Sequence, residues 1–128
     1  MVSISRQTDY ACRVILHMAM RARDERAPGE RVTAQDIARR RLIPRAFVRR
    51  VITRLAKAGL VSTSRGAAGG LELARTPAEI SLLDVVEAME GPLALNACVV
   101  NPEQCPLMQV CTVHQAWRRA RDVLADEL

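Results

Sequence analysis

The chain has 128 residues, enough for one domain or one domain with a terminal extension, and 49% of them are hydrophobic, an ordinary share for a globular protein. Aromatics are scarce, with one Tyr, one Phe and one Trp, so the core has to come from Leu, Val, Ile, Ala and Met, which favours helices. The net charge of +5 is unevenly placed: residues 1–75 hold 16 Lys and Arg against 6 Asp and Glu, and residues 76–128 hold 3 against 8, which predicts a polyanion-binding half and a second half with another task.

Arg6, Asp9 and Arg13 interrupt the N-terminus, so no signal peptide is expected. The longest uncharged run, Gln104–Trp117, contains a proline and is too short to span a bilayer. A cytoplasmic protein is expected, whose cysteines are metal ligands or reactive thiols rather than disulfides.

Residues 6–23 read as a first helix, with Tyr10, Val14, Leu16, His17 and Ala19-Met20 forming a broad apolar stripe. A polar connection follows over 24–32, with Pro28 and Gly29. Thr33 then looks like an N-cap, with Asp36 three residues on, opening a short helix that ends near Arg41. Pro44 marks a turn, and a helix over 45–58 is closed by Gly59. That helix divides at 100° per residue. Phe47, Val48, Val51, Ile52 and Leu55 share one face; Arg45, Ala46, Arg49, Arg50 and Thr53 share the other. A short helix, a tight turn and a basic amphipathic helix predict a helix–turn–helix.

Leu60–Thr63, a turn over 64–70 rich in glycine, and Leu71–Leu73 predict a β-hairpin. Placed directly after a recognition helix, with Arg65 and Gly66 at its tip, the hairpin reads as a DNA-touching wing. Ile80–Met89 is another expected helix, capped by Ser81 and ending at Gly91-Pro92. Residues 91–106 lack periodicity and are punctuated by Pro92, Pro102 and Pro106, so a functional loop is expected. From about Leu107 a last helix shows Leu107, Val110, His114, Trp117, Arg121, Leu124 and Leu128 at heptad-like spacing, which predicts a helix–helix dimer contact.

Cys98, Cys105 and Cys111 are separated by six and five residues, and His114 lies three positions after Cys111. Cys111 and His114 at i and i+3 near a helix N-terminus point the same way, and that terminus favours an anionic thiolate centre. Thiolates with one imidazole suit zinc or an iron–sulfur cluster. Zinc sites usually pair ligands two to four residues apart, a poorer match. Unligated thiols in a loop are the bland alternative. Cys12, alone in mid-helix, reads as a buried structural thiol, and His17 and Trp117 as packing residues.

Five stretches carry a resemblance: Gln7-Thr8-Asp9-Tyr10; Arg54-Leu55 with Lys57–Val61; the wing Arg65–Gly70; Ile80–Val86; and the three cysteines. Together they resemble the bacterial winged-helix iron–sulfur transcription regulators typified by IscR, NsrR and RirA, over almost the whole chain. The resemblance implies a mainly α fold: a winged helix–turn–helix with a small β-hairpin wing and a long C-terminal dimerisation helix. It divides the chain into a DNA-binding domain over 1–76 and a cluster-binding loop with dimer helix over 77–128. It implies a homodimer on a palindromic promoter site in double-stranded DNA. It also implies a 2Fe–2S or 4Fe–4S cluster and cluster-dependent control, with repression as the expected sign, in response to iron or Fe–S status, nitric oxide or redox stress.

Both fourth-ligand patterns of that family are present. Cys111–Trp117 resembles the IscR arrangement, in which the histidine, here His114, binds the cluster. Thr8-Asp9-Tyr10 resembles the NsrR arrangement, in which an aspartate of the partner's first helix, here Asp9, does so. The chain departs from the family in its wide first cysteine gap, in Leu42 where a turn glycine is common, and in Arg49 where IscR-type members carry glutamate. It also stops near the end of the dimer helix. Two other readings remain: a cluster-free regulator that docks an enzyme, and a zinc-stabilised DNA-binding protein. No phosphate loop, catalytic triad or paired acidic site points to an enzyme.

Overall fold

The computed structural model describes residues 3–24, 31–66 and 69–128. The expected connection at Pro28-Gly29 and Ala67-Ala68 of the hairpin tip lie outside the described residues. The first helix, α1, runs Arg6–Ala22, and Ser5 caps it by accepting the Thr8 N–H on its hydroxyl. Its core face is centred on Ala11, Val14, Ile15 and Met18, at i, i+3, i+4 and i+7. Leu16 and Met20, expected in that stripe, point to solvent, because they sit nearly half a turn from the buried line.

Helix α2 (Ala34–Arg40) is capped by Thr33, whose Oγ1 accepts from Asp36 N–H. It ends in a reversed turn: the Ile43 N–H donates to the Ala38 carbonyl at 2.9 Å while Leu42 takes a positive φ of 54°. Helix α3 (Arg45–Lys57) ends the same way, with Leu60 N–H on the Leu55 carbonyl and Gly59 at φ 73°. Both are six-to-one C-caps, one on the customary glycine and one on a leucine. Leu42 is 80% exposed, so its side chain gains nothing from packing at that position.

Strands β1 (Val61–Ser64) and β2 (Gly70–Leu73) pair antiparallel, with Val61 opposite Leu73 and Ser64 opposite Gly70. Val32, just before α2, bridges to Leu71 and ties the hairpin to the helix–turn–helix. After a short 3-10 turn at Pro77–Glu79, α4 (Leu82–Glu90) starts from a reciprocal Ser81–Asp84 capping box. Val85 and Met89 of α4 enter the same core as Val14, Ile37, Val51, Leu55 and Leu60. The architecture is thus mainly helical, a winged helix with a two-stranded wing.

The segment 91–106, expected to be irregular, contains one helical turn, α5 (Ala97–Val100), and a 3-10 turn at Pro102–Gln104. The last helix, α6, runs Thr112–Glu127. It starts five residues later than expected, because Pro106 and the turns of 106–110 precede a cap made by Cys111, so Leu107 and Val110 are not on it. At its far end the Leu128 backbone oxygen accepts from the Leu82 and Leu83 N–H groups that open α4.

Candidate nucleic-acid interface and metal-binding segment

On α3 the residues Val48, Val51, Ile52 and Leu55 are buried, whereas Arg45, Ala46, Arg49, Arg50 and Thr53 are exposed, as the periodicity requires. The helix has no acidic residue. Among the described residues Arg45, Arg49 and Arg50 have no ion pair or side-chain hydrogen bond, so three guanidinium groups face solvent unneutralised. Thr53 differs: its hydroxyl donates to the Arg49 carbonyl at 2.9 Å. Arg54 is also committed, donating to the Met89 carbonyl and joining α3 to α4. At the hairpin, Arg65 and Gly66 are exposed, and Gly66 takes φ 88°. Gly69 is sterically required: a Cβ there would stand 2.5 Å from the Ser64 carbonyl oxygen.

The candidate ligands lie along the path that enters α6. Cys98 is in α5, Cys105 follows the 3-10 turn, and Cys111 caps α6 by accepting the His114 N–H on Sγ at 3.4 Å. All three thiols are free and half-buried. His114, in the first turn of α6, is only 6% exposed, and its Nδ1 is buried without a hydrogen-bond partner among the described residues. A buried imidazole nitrogen without a partner is costly unless something is bound to it. Among the described residues no three Cys, His, Asp or Glu side chains converge as a metal-binding set. One chain therefore places the candidate ligands on one segment without drawing them together.

Asp9 lies elsewhere, in the first turn of α1, where it pairs with Arg13 Nη2 at 2.6 Å. The other arm of that guanidinium, Nη1, donates to the Arg41 carbonyl in the helix–turn–helix turn. Arg41 in turn donates from Nε to His17 Nδ1 at 3.1 Å and from Nη2 to Met20 Sδ. Burial, then Arg41, Arg40 and Arg21, hold the His17 pKa below its ordinary value, with Asp36 opposing. His17 is therefore a neutral acceptor that fixes Arg41, more than the packing residue expected. Cys12 is half-buried against the core, and burial with the neighbouring Asp9 charge pushes its thiol pKa up, consistent with an inert thiol.

Arg13 and Glu90 escaped the sequence reading. Glu90 accepts from the Ser5 N–H and the Thr8 hydroxyl, fastening the start of α1 to the end of α4. Arg13 stands at i+4 from Asp9, which is legible as a helical ion pair. Its reach to the Arg41 carbonyl depends on how α1 lies against α2.

The dimer contact was expected on α6. Its exposed apolar residues include Val113, Trp117 and Val123, with Ala116 and Ala120 also exposed between them. These fall at i, i+3, i+4, i+7 and i+10, one continuous stripe that differs from the expected heptad line. Of that line only His114 is buried.

The iron-dependent transcriptional regulator family Rrf2 matches residues 4–128 of the chain. Protein aau3 of Rhizobium meliloti is 34% identical over 127 residues, covering 98% of this chain and 78% of that protein. The HTH-type transcriptional regulator NsrR of Geobacillus kaustophilus is 33% identical over 120 residues, covering 93% of this chain and 78% of that one. Among solved structures, CymR (YrzC), the global cysteine regulator of B. subtilis, shares the fold, with a TM-score of 0.73, 23% identity and coverage of 98% of this chain and 88% of that one. IscR of T. potens aligns with a TM-score of 0.60 and 25% identity, over 99% of this chain and 89% of that one.

Proposed function

The chain belongs to the Rrf2 family of transcriptional regulators, and from that premise we propose that it is an iron–sulfur sensor that represses transcription as a homodimer. The signal is iron or cluster status, nitric oxide or redox stress. The observation that carries the reading is His114, whose buried Nδ1 has no partner and which sits one turn from the cap thiol of Cys111. The donor set fits an iron–sulfur group chemically, since iron in such clusters takes cysteine thiolates and, in some, imidazole nitrogen. Cys98, Cys105, Cys111 and His114 would hold it, with Asp9 of a partner subunit as the other candidate for the fourth position. When bound, the group supplies a centre that is labile to oxidants and nitric oxide.

The rest is done by the chain itself. The basic face of α3 enters the major groove, and Arg65 and Gly66 of the wing reach the backbone or minor groove. Thr53 contributes on the reading face through its hydroxyl oxygen. The apolar stripe of α6 meets its copy in a second chain, which sets the two recognition helices on the halves of a palindromic site. No helix among the described residues is long and apolar enough to cross a membrane, and a cytoplasmic location goes with a DNA-binding role.

A cluster-free regulator is the second reading, favoured by the lack of convergence of the candidate ligands among the described residues of one chain. Anaerobic purification decides between them. The iron–sulfur reading expects a brown protein with visible charge-transfer absorption and matching iron and sulfide. A colourless, iron-free protein that still binds promoter DNA supports the second reading, and one carrying zinc supports a zinc-stabilised fold.

A further inference from the structure

The exposed arc of α3 has a restricted chemistry. At about 100° per residue it runs through Arg45, Arg49, Thr53, Ala46, Lys57 and Arg50, all exposed. It holds no Asn or Gln, the side chains that pair with adenine, and no Asp or Glu, which accept from cytosine N4. Thr53 gives its hydroxyl proton to the Arg49 carbonyl, and Arg54, at the margin of the arc, is turned to α4 by the bond from its Nη1 to the Met89 carbonyl. What remains for direct readout is guanidinium and the Lys57 ammonium at the C-terminal end, which fit guanine O6 and N7, the Ala46 and Thr53 methyls, which fit the thymine methyl, and the Thr53 hydroxyl oxygen as an acceptor.

Position on the helix separates the three arginines. Arg45 and Arg50 lie near the two edges of the arc, where the walls of the major groove bring phosphates. Arg49 lies inside the arc, in the N-terminal half that reaches base edges in this docking mode. Its carbonyl accepts from the Thr53 hydroxyl, while its side chain has no partner among the described residues.

We propose that Arg49 is the specificity-determining residue of this regulator and that it reads a guanine, through O6 and N7, in each operator half-site. Ala46 favours a thymine beside that guanine, and Arg45 and Arg50 fasten the flanking phosphates without choosing sequence. This rests on the DNA-binding reading and goes beyond it by naming the base.

The test is selection from a randomised duplex pool with the full chain, run once with iron-loaded and once with chelator-stripped protein. The expected outcome is a palindrome with one guanine fixed in each half. Arg49→Ala loses the preference at that position only, whereas Arg50→Ala weakens all sequences alike. Replacing the fixed guanine by 7-deazaguanine costs the wild type about ten- to a hundredfold in affinity and costs Arg49→Ala little. Half-sites without guanine, or an Arg49→Ala protein that keeps every base preference, overturn the inference and leave the regulator standing. Failure of both protein forms to select any sequence overturns the inference and the regulator reading together. Arg49 is exposed, and circular dichroism of the variants checks that they fold.

Discussion

Asp9 and Arg41 are joined by a single guanidinium. Arg13 holds the Asp9 carboxylate at 2.6 Å with one arm and the Arg41 carbonyl at 3.2 Å with the other. As an exposed ion pair this contributes little stability. Its interest is positional: one side chain connects a candidate iron ligand to the turn that orients the recognition helix. A ligand role for Asp9 shares its carboxylate with Arg13, which holds Oδ2, whereas His114 Nδ1 has no partner among the described residues.

The fourth ligand follows from that contrast. His114→Ala is expected to change the visible spectrum and shorten the lifetime of the iron-loaded protein, and Asp9→Ala to leave both unchanged. The reverse pattern assigns the site to Asp9 across the dimer. If neither variant changes the spectrum, both assignments fail.

Leu42 carries a cost in the turn. A non-glycine residue in the left-handed region is disfavoured by about 1–2 kcal/mol, and glycine gives back part of that through unfolded-chain entropy. Leu42→Gly is therefore expected to raise stability by about 0.5–1 kcal/mol, read as a higher denaturation midpoint with an unchanged slope. Destabilisation instead would mean that the exposed leucine makes a contact in the assembled protein.

The α6 stripe predicts the behaviour of one tryptophan. Trp117 is 36% exposed in the single chain, and the dimer reading covers it. Trp117→Arg places a charge at an apolar contact and should shift light scattering from dimer toward monomer. Wild-type protein that is monomeric at tens of micromolar sinks the proposed interface.

Acid should loosen the turn through His17. Its pKa is lowered in the folded protein by burial and by Arg41, Arg40 and Arg21. The unfolded chain thus binds a proton that the folded one refuses. The contribution is fully present above about pH 6.5 and is lost as pH falls through the lower folded value. His17→Gln should flatten the fall in stability just below that pH, measured by chemical denaturation across the range. An unchanged slope would show that His17 is not the titrating group.

The wing offers a separate handle. Gly69→Ala puts a Cβ within 2.8 Å of the Arg65 carbonyl carbon, so the hairpin backbone has to move. DNA affinity should drop while the melting temperature changes little, because the tip lies outside the core. A DNA affinity equal to wild type would show that the wing makes no energetically useful contact.

Local chemistry made much of this protein legible in its residues. Caps at Thr33 and Ser81, the breaks at Pro44 and Gly59, and the two faces of α3 depend on neighbours within about one helical turn, so they could be read without a fold. The three cysteines and His114 could be named as candidate donors from residue type and order alone, and whether they meet is not a local property. The sequence also contained the residues of α1 but not their orientation: Leu16 and Met20 turned outward because α3 and α4, distant in the chain, settle on Ala11, Val14 and Met18. The one-turn helix at Ala97–Val100 and the late start of α6 were missed, because Cys111 is an unusual cap and no periodicity marks so short an element. Arg13 bridging Asp9 to Arg41, His17 fixing Arg41, and Glu90 holding Ser5 and Thr8 are contacts between elements far apart in sequence. Only tertiary packing brings those donors within hydrogen-bonding distance of their acceptors, so composition and spacing determine which side chains are available, and the fold decides which of them meet.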